Sequence, residues 1–281
     1  VNGGNWEAFP GSTEDRFPGV LMLLDLQSGN VLAADTMPDG QESYMSPLCF
    51  TQPGSEEATV VFGTGGETMS GNLYQTTLAD LKAKKLHEAT VLASEQGHGF
   101  IAPPVIADVT QDGYYDIITA THASQLHAID GKDFSTIWKR SFPQMECSNS
   151  FAVGQFTGDA TPDFLAIMSK GTWPDYTVGM QVVIDGKDGS IAYQNAIGCF
   201  SLSSAVVYDI NGDGWDEAIL SIGEYDCAIQ LTEDIRSPTT INSQLVVLDF
   251  ARDHQLVLEK VDGFKNFYST PWIGDLDQDN Y

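Results

Sequence analysis

The chain has 281 residues, 42% of them hydrophobic, with 39 Asp and Glu against 13 Lys and Arg and a formal net charge of −26. That balance excludes nucleic acid and anionic lipid as partners, because both are held by clustered Lys and Arg that displace counterions. No apolar run approaches the roughly 20 residues of a spanning helix, so no direct membrane insertion is expected.

Taken in chain order, the first element is a hairpin over residues 21–33, with Ser28-Gly29 between two apolar runs. Residues 47–65 follow as strand, loop and strand, the loop offering only Thr51, Pro53, Ser55 and Thr59. Residues 76–92, with Leu78, Leu81 and Ala83 among lysines, read as a partly helical, decorated outer hairpin. Residues 104–121 repeat the strand–loop–strand pattern, now with Asp108, Thr110, Asp112 and Asp116 in the loop and Gly113 after the third position. A hairpin over 126–139 turns at Asp130-Gly131. Residues 151–169 carry Gln155, Thr157, Asp159 and Asp163, with Ala160 where Gly is preferred, and the hairpin over 180–193 turns at Asp185-Gly186. Residues 204–222 carry Asp209, Asn211, Asp213 and Glu217 with Gly214, followed by a hairpin over 245–258. Residues 271–281 open another copy with Asp275, Asp277 and Asp279, Asn280 standing where the Asp108 and Asp209 loops have Gly. Asp-Gly and Ser-Gly between β-rich runs are hairpin signals, since Gly accepts the positive φ of tight turns.

A unit of about 50 to 60 residues thus recurs, four short strands at a time, without crossover helices. The pattern predicts an all-β chain, a β-propeller of four-stranded antiparallel blades. A β-sandwich is the alternative, but it does not require the same acidic loop at the same place in every unit. The approximate blades are 1–46 (the end of one), 47–101, 102–147, 148–200, 201–265 and 266–281 (the start of one). Closed propellers often have seven or eight blades, and an open stack leaves bare sheet edges. The remaining blades are therefore expected from sequence outside this chain.

The loops carry the chemistry. Hard calcium ions want several oxygen ligands, and alternate residues of a tight loop can aim side chains inward. In the loop at Asp209, the candidate ligands are Asp209, Asn211, Asp213, the carbonyl of Trp215 and Glu217, with Gly214 free to take φ > 0. In the loop at Asp108 they are Asp108, Thr110, Asp112, the carbonyl of Tyr114 and Asp116. Asp275, Asp277 and Asp279 form a loop whose last ligand lies beyond the sequence, Asp159 and Asp163 belong to the weakest acidic copy, and the Thr51 copy has lost its ion. Magnesium suits these loops less, because it keeps its own waters. A single acidic loop is equally an Asx-rich turn; repetition is what favours calcium, as two to four structural ions.

These residues resemble the FG-GAP/VCBS repeat family of calcium-loop propellers, which includes the integrin α-subunit head. The run from Asp209 to Glu217 carries most of the resemblance, while the flanking FG and GAP words are eroded. The hairpin from Ala128 to Lys139 is similar to the tryptophan-docking repeats of quinoprotein-like propellers, which implies that Trp138 is core. The resemblance implies calcium on one face, bracing the strand pair, and ligand recognition on the opposite face. That second face would carry His98, His122, Trp173, Tyr176, Glu224 and Tyr225. Aromatics mixed with carboxylates suit a protein or glycan partner, and His98 with His122 would form a metal or acid–base pair in the sharper reading. Cys199 and Cys227 would share this face and form a disulfide, Cys147 being the competing partner, in keeping with a secreted, cell-surface or periplasmic location. Cys49 reads as a buried free thiol.

No G-x-S-x-G, H-E-x-x-H or phosphate loop is present. The favoured reading is a non-catalytic module for adhesion, binding or scaffolding. The alternatives are a calcium-dependent polysaccharide lyase, disfavoured by the scarcity of Lys and Arg, a quinoprotein-like enzyme and a lectin.

Overall fold

The computed structural model describes residues 16–172, 176–196, 198, 203–225, 241–262 and 270–274, and divides the chain into two compact units, Val1–Pro143 and Gln144–Tyr281. The first unit opens with the hairpin β1 (Val20–Leu24) and β2 (Val31–Thr36). Two sheets follow: β3 (Leu48–Thr51), β4 (Ala58–Gly63), β5 (Gly71–Thr77) and β6 (Thr90–Glu95), then β7 (Val105–Ala107), β8 (Asp116–Ala120), β9 (Gln125–Ile129) and β10 (Thr136–Ser141). The expected helical decoration is α1 (Leu78–Lys82) with a 3₁₀ turn at Leu86–Glu88, inserted between β5 and β6. Thr77 caps α1 by accepting the Asp80 N–H at 3.0 Å.

In the second unit, β11 (Met145–Glu146) and β12 (Ala152–Gly154) both pair with β13 (Asp163–Lys170), and β14 (Val178–Ile184) and β15 (Ile191–Ala196) complete that sheet. The last sheet is β16 (Val206–Tyr208), β17 (Glu217–Tyr225), β18 (Ile241–Asp249) and β19 (His254–Asp262). Every pairing is antiparallel, and each group of four strands lies in chain order as a meander. That is the blade topology of a β-propeller, not the Greek key of a sandwich. Among the described residues, no helix is long and apolar enough to cross a membrane.

Strand alternation explains how a four-stranded sheet buries both faces. On β4 and β5, Val60, Phe62 and Tyr74 join Leu21 and Ala33 of the first hairpin, while Val61 and Leu73 face the other way and join Ile117 and Ile129 of the next sheet. Burying each of these large side chains contributes about 1.5–3 kcal/mol. In the second unit Leu165, Val183 and Ala218 form one such cluster, and Ile167, Leu220 and Val246 form another.

Candidate functional site

Among the described residues, four loops of similar backbone link β3 to β4, β7 to β8, β12 to β13 and β16 to β17. Counting the first candidate ligand as position 1, position 4 is left-handed in all four copies: Gly54 (φ 79°), Gln111 (φ 57°), Gly158 (φ 77°) and Gly212 (φ 72°). Position 6 is left-handed at Gly113 and Gly214, as their glycines predict.

Hydrogen bonds explain the shape. Asp108 accepts the Asp112 N–H at 3.1 Å on Oδ1 and the Gly113 N–H at 2.9 Å on Oδ2. Asp209 likewise accepts from Gly212, Asp213 and Gly214 at 2.8, 3.1 and 3.0 Å. Position 5 accepts the N–H of position 7: Asp112 from Tyr114 (3.0 Å), Asp159 from Thr161 (2.7 Å) and Asp213 from Trp215 (3.0 Å). Ser55 keeps this bond with Glu57 at 3.0 Å in the copy that has no carboxylate at positions 1, 3, 5 and 9, so the turn does not depend on them.

The ninth position also accepts hydrogen bonds from the loop. Asp116, wholly buried, accepts the N–H groups of Val109 and Thr110 and the Thr110 hydroxyl on Oδ2, at 2.9, 3.0 and 3.2 Å, and the Gly131 N–H on Oδ1 at 3.0 Å. Asp163, equally buried, does the same with Phe156, Thr157 and Gly186. These two carboxylates are struts that tie the loop to the hairpin ahead of the fourth strand. Glu217 accepts the Ile210 N–H at 2.8 Å and the Asn211 side-chain N–H at 2.6 Å. Burial pushes all three carboxyls above their ordinary pKa; the N–H donors pull the other way.

The facing hairpins supply cations. Lys132 Nζ lies 3.3 Å from Asp112 Oδ2 and 5.2 Å from the centre of the Tyr114 ring. Arg252 reaches Asp213 and Asp249, at 2.8 Å each. Successive loops also dock within a unit. Gln52 exchanges two 2.8 Å bonds with the Tyr115 backbone, and Asp216 exchanges two with the Gln155 backbone at 2.8 and 2.9 Å. The Trp215 ring lies over Gly158, where a Cβ would meet it at 2.4 Å.

The donor set of the Asp209 loop is all oxygen apart from the Asn211 amide nitrogen, which suits a hard cation. A carboxylate oxygen that accepts one N–H keeps a second lone pair. In the structure itself, no group of three or more His, Cys, Asp or Glu side chains among the described residues is arranged to hold a metal. Asp275, Asp277 and Asp279 lie outside the described residues.

At the ends of the sheets away from these loops, the His98 and His122 rings stand 5.8 Å apart, and His98 Nδ1 bonds the Glu67 carbonyl. His122 and Tyr176 are buried, and the Tyr176 hydroxyl donates to Glu146 Oε2 at 2.5 Å. Trp173, the Cys199 and Cys227 pair, and the side chains of Glu224 and Tyr225 lie outside the described residues. The cysteine expectation is corrected. Cys49 is exposed, because alternation on β3 turns Leu48 and Phe50 toward the core instead. Cys147 is the buried free thiol, its Sγ facing the Asn149 and Ile167 carbonyls at 3.7 Å, and burial pushes its pKa up to about 12.

No protein-family model matches the chain. Among solved structures, BamB from Moraxella catarrhalis is similar with a TM-score of 0.44 and 11% identity, over 88% of this chain. The chain spans 59% of that protein's length.

Proposed function

We propose that the chain is a non-catalytic β-propeller module whose acidic loops take calcium as a structural brace, and that it serves as a binding or scaffolding surface in a secreted or cell-surface protein. The observation that carries this reading is repetition: one loop backbone recurs in successive sheets, with oxygen donors concentrated at positions 1, 3, 5 and 9. The Asp209 loop fits best. Asp209, Asn211, Asp213, the Trp215 carbonyl and Glu217 would hold the ion, and Arg252 would give up Asp213 to it. The Asp108 loop would use Asp108, Asp112 and the Tyr114 carbonyl while Asp116 remains a strut. The partner is a protein or glycan recognised at the opposite ends of the sheets, a role supported by the family resemblance and by the absence of catalytic motifs.

Calorimetry on metal-stripped protein tests the brace: calcium heats and a melting temperature that falls with chelator are expected. No heat together with an unmoved melting temperature would overturn it. Turnover of a uronate polymer would overturn the non-catalytic part, leaving the calcium reading intact.

A further inference from the structure

The β8–β9 hairpin changes character along one face. Ile117 stands opposite Ile129, and both enter the apolar cluster with Val61, Leu73 and Phe100. Two residues along each strand, on the same face by alternation, Thr119 stands opposite His127. Both are buried, at 0% and 6% exposure, and the Phe100 ring lies 6.5 Å from the imidazole. Among the described residues, neither Thr119 Oγ1 nor His127 Nε2 has a hydrogen-bond partner. Ser124 Oγ, in the turn of the same hairpin, is a third such atom.

A buried polar atom left unsatisfied costs about 1–3 kcal/mol, and native interiors resolve it with a protein group or an ordered water. We propose that an internal ordered water bridges Thr119 Oγ1 and His127 Nε2 within this hairpin. Residues directly opposite in a sheet have Cβ atoms roughly 4.5–5.5 Å apart, a separation that one water can close. Water both donates and accepts, so it serves the hydroxyl and either tautomer of a neutral imidazole. Burial, with Lys139 paired opposite, holds His127 neutral by lowering its pKa to about 4. A metal ion fits poorly, since Thr119, Ile117 and Phe100 offer no carboxylate to balance it.

The test is a crystal structure of the whole chain at a resolution that orders internal water, with a double-mutant cycle in urea. Density within hydrogen-bond reach of both atoms is expected. Thr119→Val and His127→Phe should each raise the unfolding constant about tenfold, and the double variant should raise it several-fold less than their product. Empty density, a direct Thr119–His127 bond or strictly multiplicative effects would each overturn the proposal. If a variant fails to fold, the density of the unaltered chain still decides.

Discussion

The loops at Asp108 and Asp209 share a backbone yet close in different ways. With Asp116 at the ninth position, the short carboxylate reaches the loop N–H groups on one side and Gly131 on the other. Gly131 sits so close that an added Cβ would meet the Tyr115 carbonyl oxygen at 1.8 Å, and Gly186 repeats this against Pro162 at 1.9 Å. With Glu217, one methylene longer, the carboxylate turns to Asn211, and Phe250, next to the Asp249 that pairs with Glu217, stands where the other hairpins have Gly131 and Gly186. The Phe250 ring packs edge-on against Phe156 and Tyr193, with centroids 4.8 and 5.0 Å away. Asp with Gly and Glu with Phe are therefore two coupled solutions to one joint. The first spends its carboxylate on backbone. The second keeps the joint apolar and leaves more of the carboxylate free.

The sharpest way to break this comparison is Gly131→Ala or Gly186→Ala. Each forces a methyl into a backbone carbonyl and pulls an N–H from its acceptor, so a loss of ~4 kcal/mol or failure to fold is expected in urea unfolding. Next is removal of the strut. Asp116→Ala strands the N–H groups of buried Val109 and of Thr110 and Gly131 beside it, and should cost about 3 kcal/mol. Glu217→Ala strands one N–H and an amide that can turn to solvent, and should cost about 1 kcal/mol. Equal losses at the two sites would erase the distinction.

The frame of the joint was readable in the chain; its closure was not. Alternate oxygen donors and the glycines at 113 and 214 announce a loop, and strand periodicity places it between the first two strands. Gln111 has no signature of its left-handed backbone, which appears only when the four copies are superposed by position. Gly131 and Gly186 resemble the turn glycines of Asp-Gly hairpins, but the left-handed residues of those turns are Phe134 and Gly189. The real demand on Gly131 comes from a carbonyl 16 positions earlier (131 minus 115), which no local pattern encodes. A ligand and a strut also both call for Asp, so residue type does not announce the N–H groups that Asp116 and Asp163 accept.

Acid titration comes next in size, and it separates the loops from their background. Asp116, Asp163 and Glu217 have raised pKa values, so their favourable share is present below the unfolded carboxylate value and is lost as pH rises through the folded one. His127 has the opposite sign. Its folded pKa of about 4 lies below the ordinary 6.5, so the unfolded chain binds the proton first and stability falls as pH drops from 6.5 toward 4. The loss should reach roughly 2 kcal/mol by pH 5. His127→Phe should flatten the stability profile between pH 7 and 5 and leave the contribution of the carboxylates unchanged. An unchanged slope would mean that His127 is not kept neutral by burial.

The smallest expected effect concerns the cations laid across the loops. Lys132 and Arg252 are more than half exposed, so each ion pair is screened by solvent and weakens further with salt. Lys132→Met and Arg252→Met should therefore barely move the unfolding midpoint. Their effect on calcium should be larger and unequal. Each cation occupies an oxygen of the fifth-position carboxylate, so removing it lowers the charge a metal must displace, and calcium should bind the variants more tightly. The gain should be greater for Arg252→Met, because Arg252 neutralises Asp213 and Asp249 together while Lys132 holds Asp112 alone. Calorimetry of the two variants beside the unaltered chain reads this directly. Tighter binding in neither would show that these carboxylates do not meet the ion, leaving the loops as turns closed by their own N–H groups.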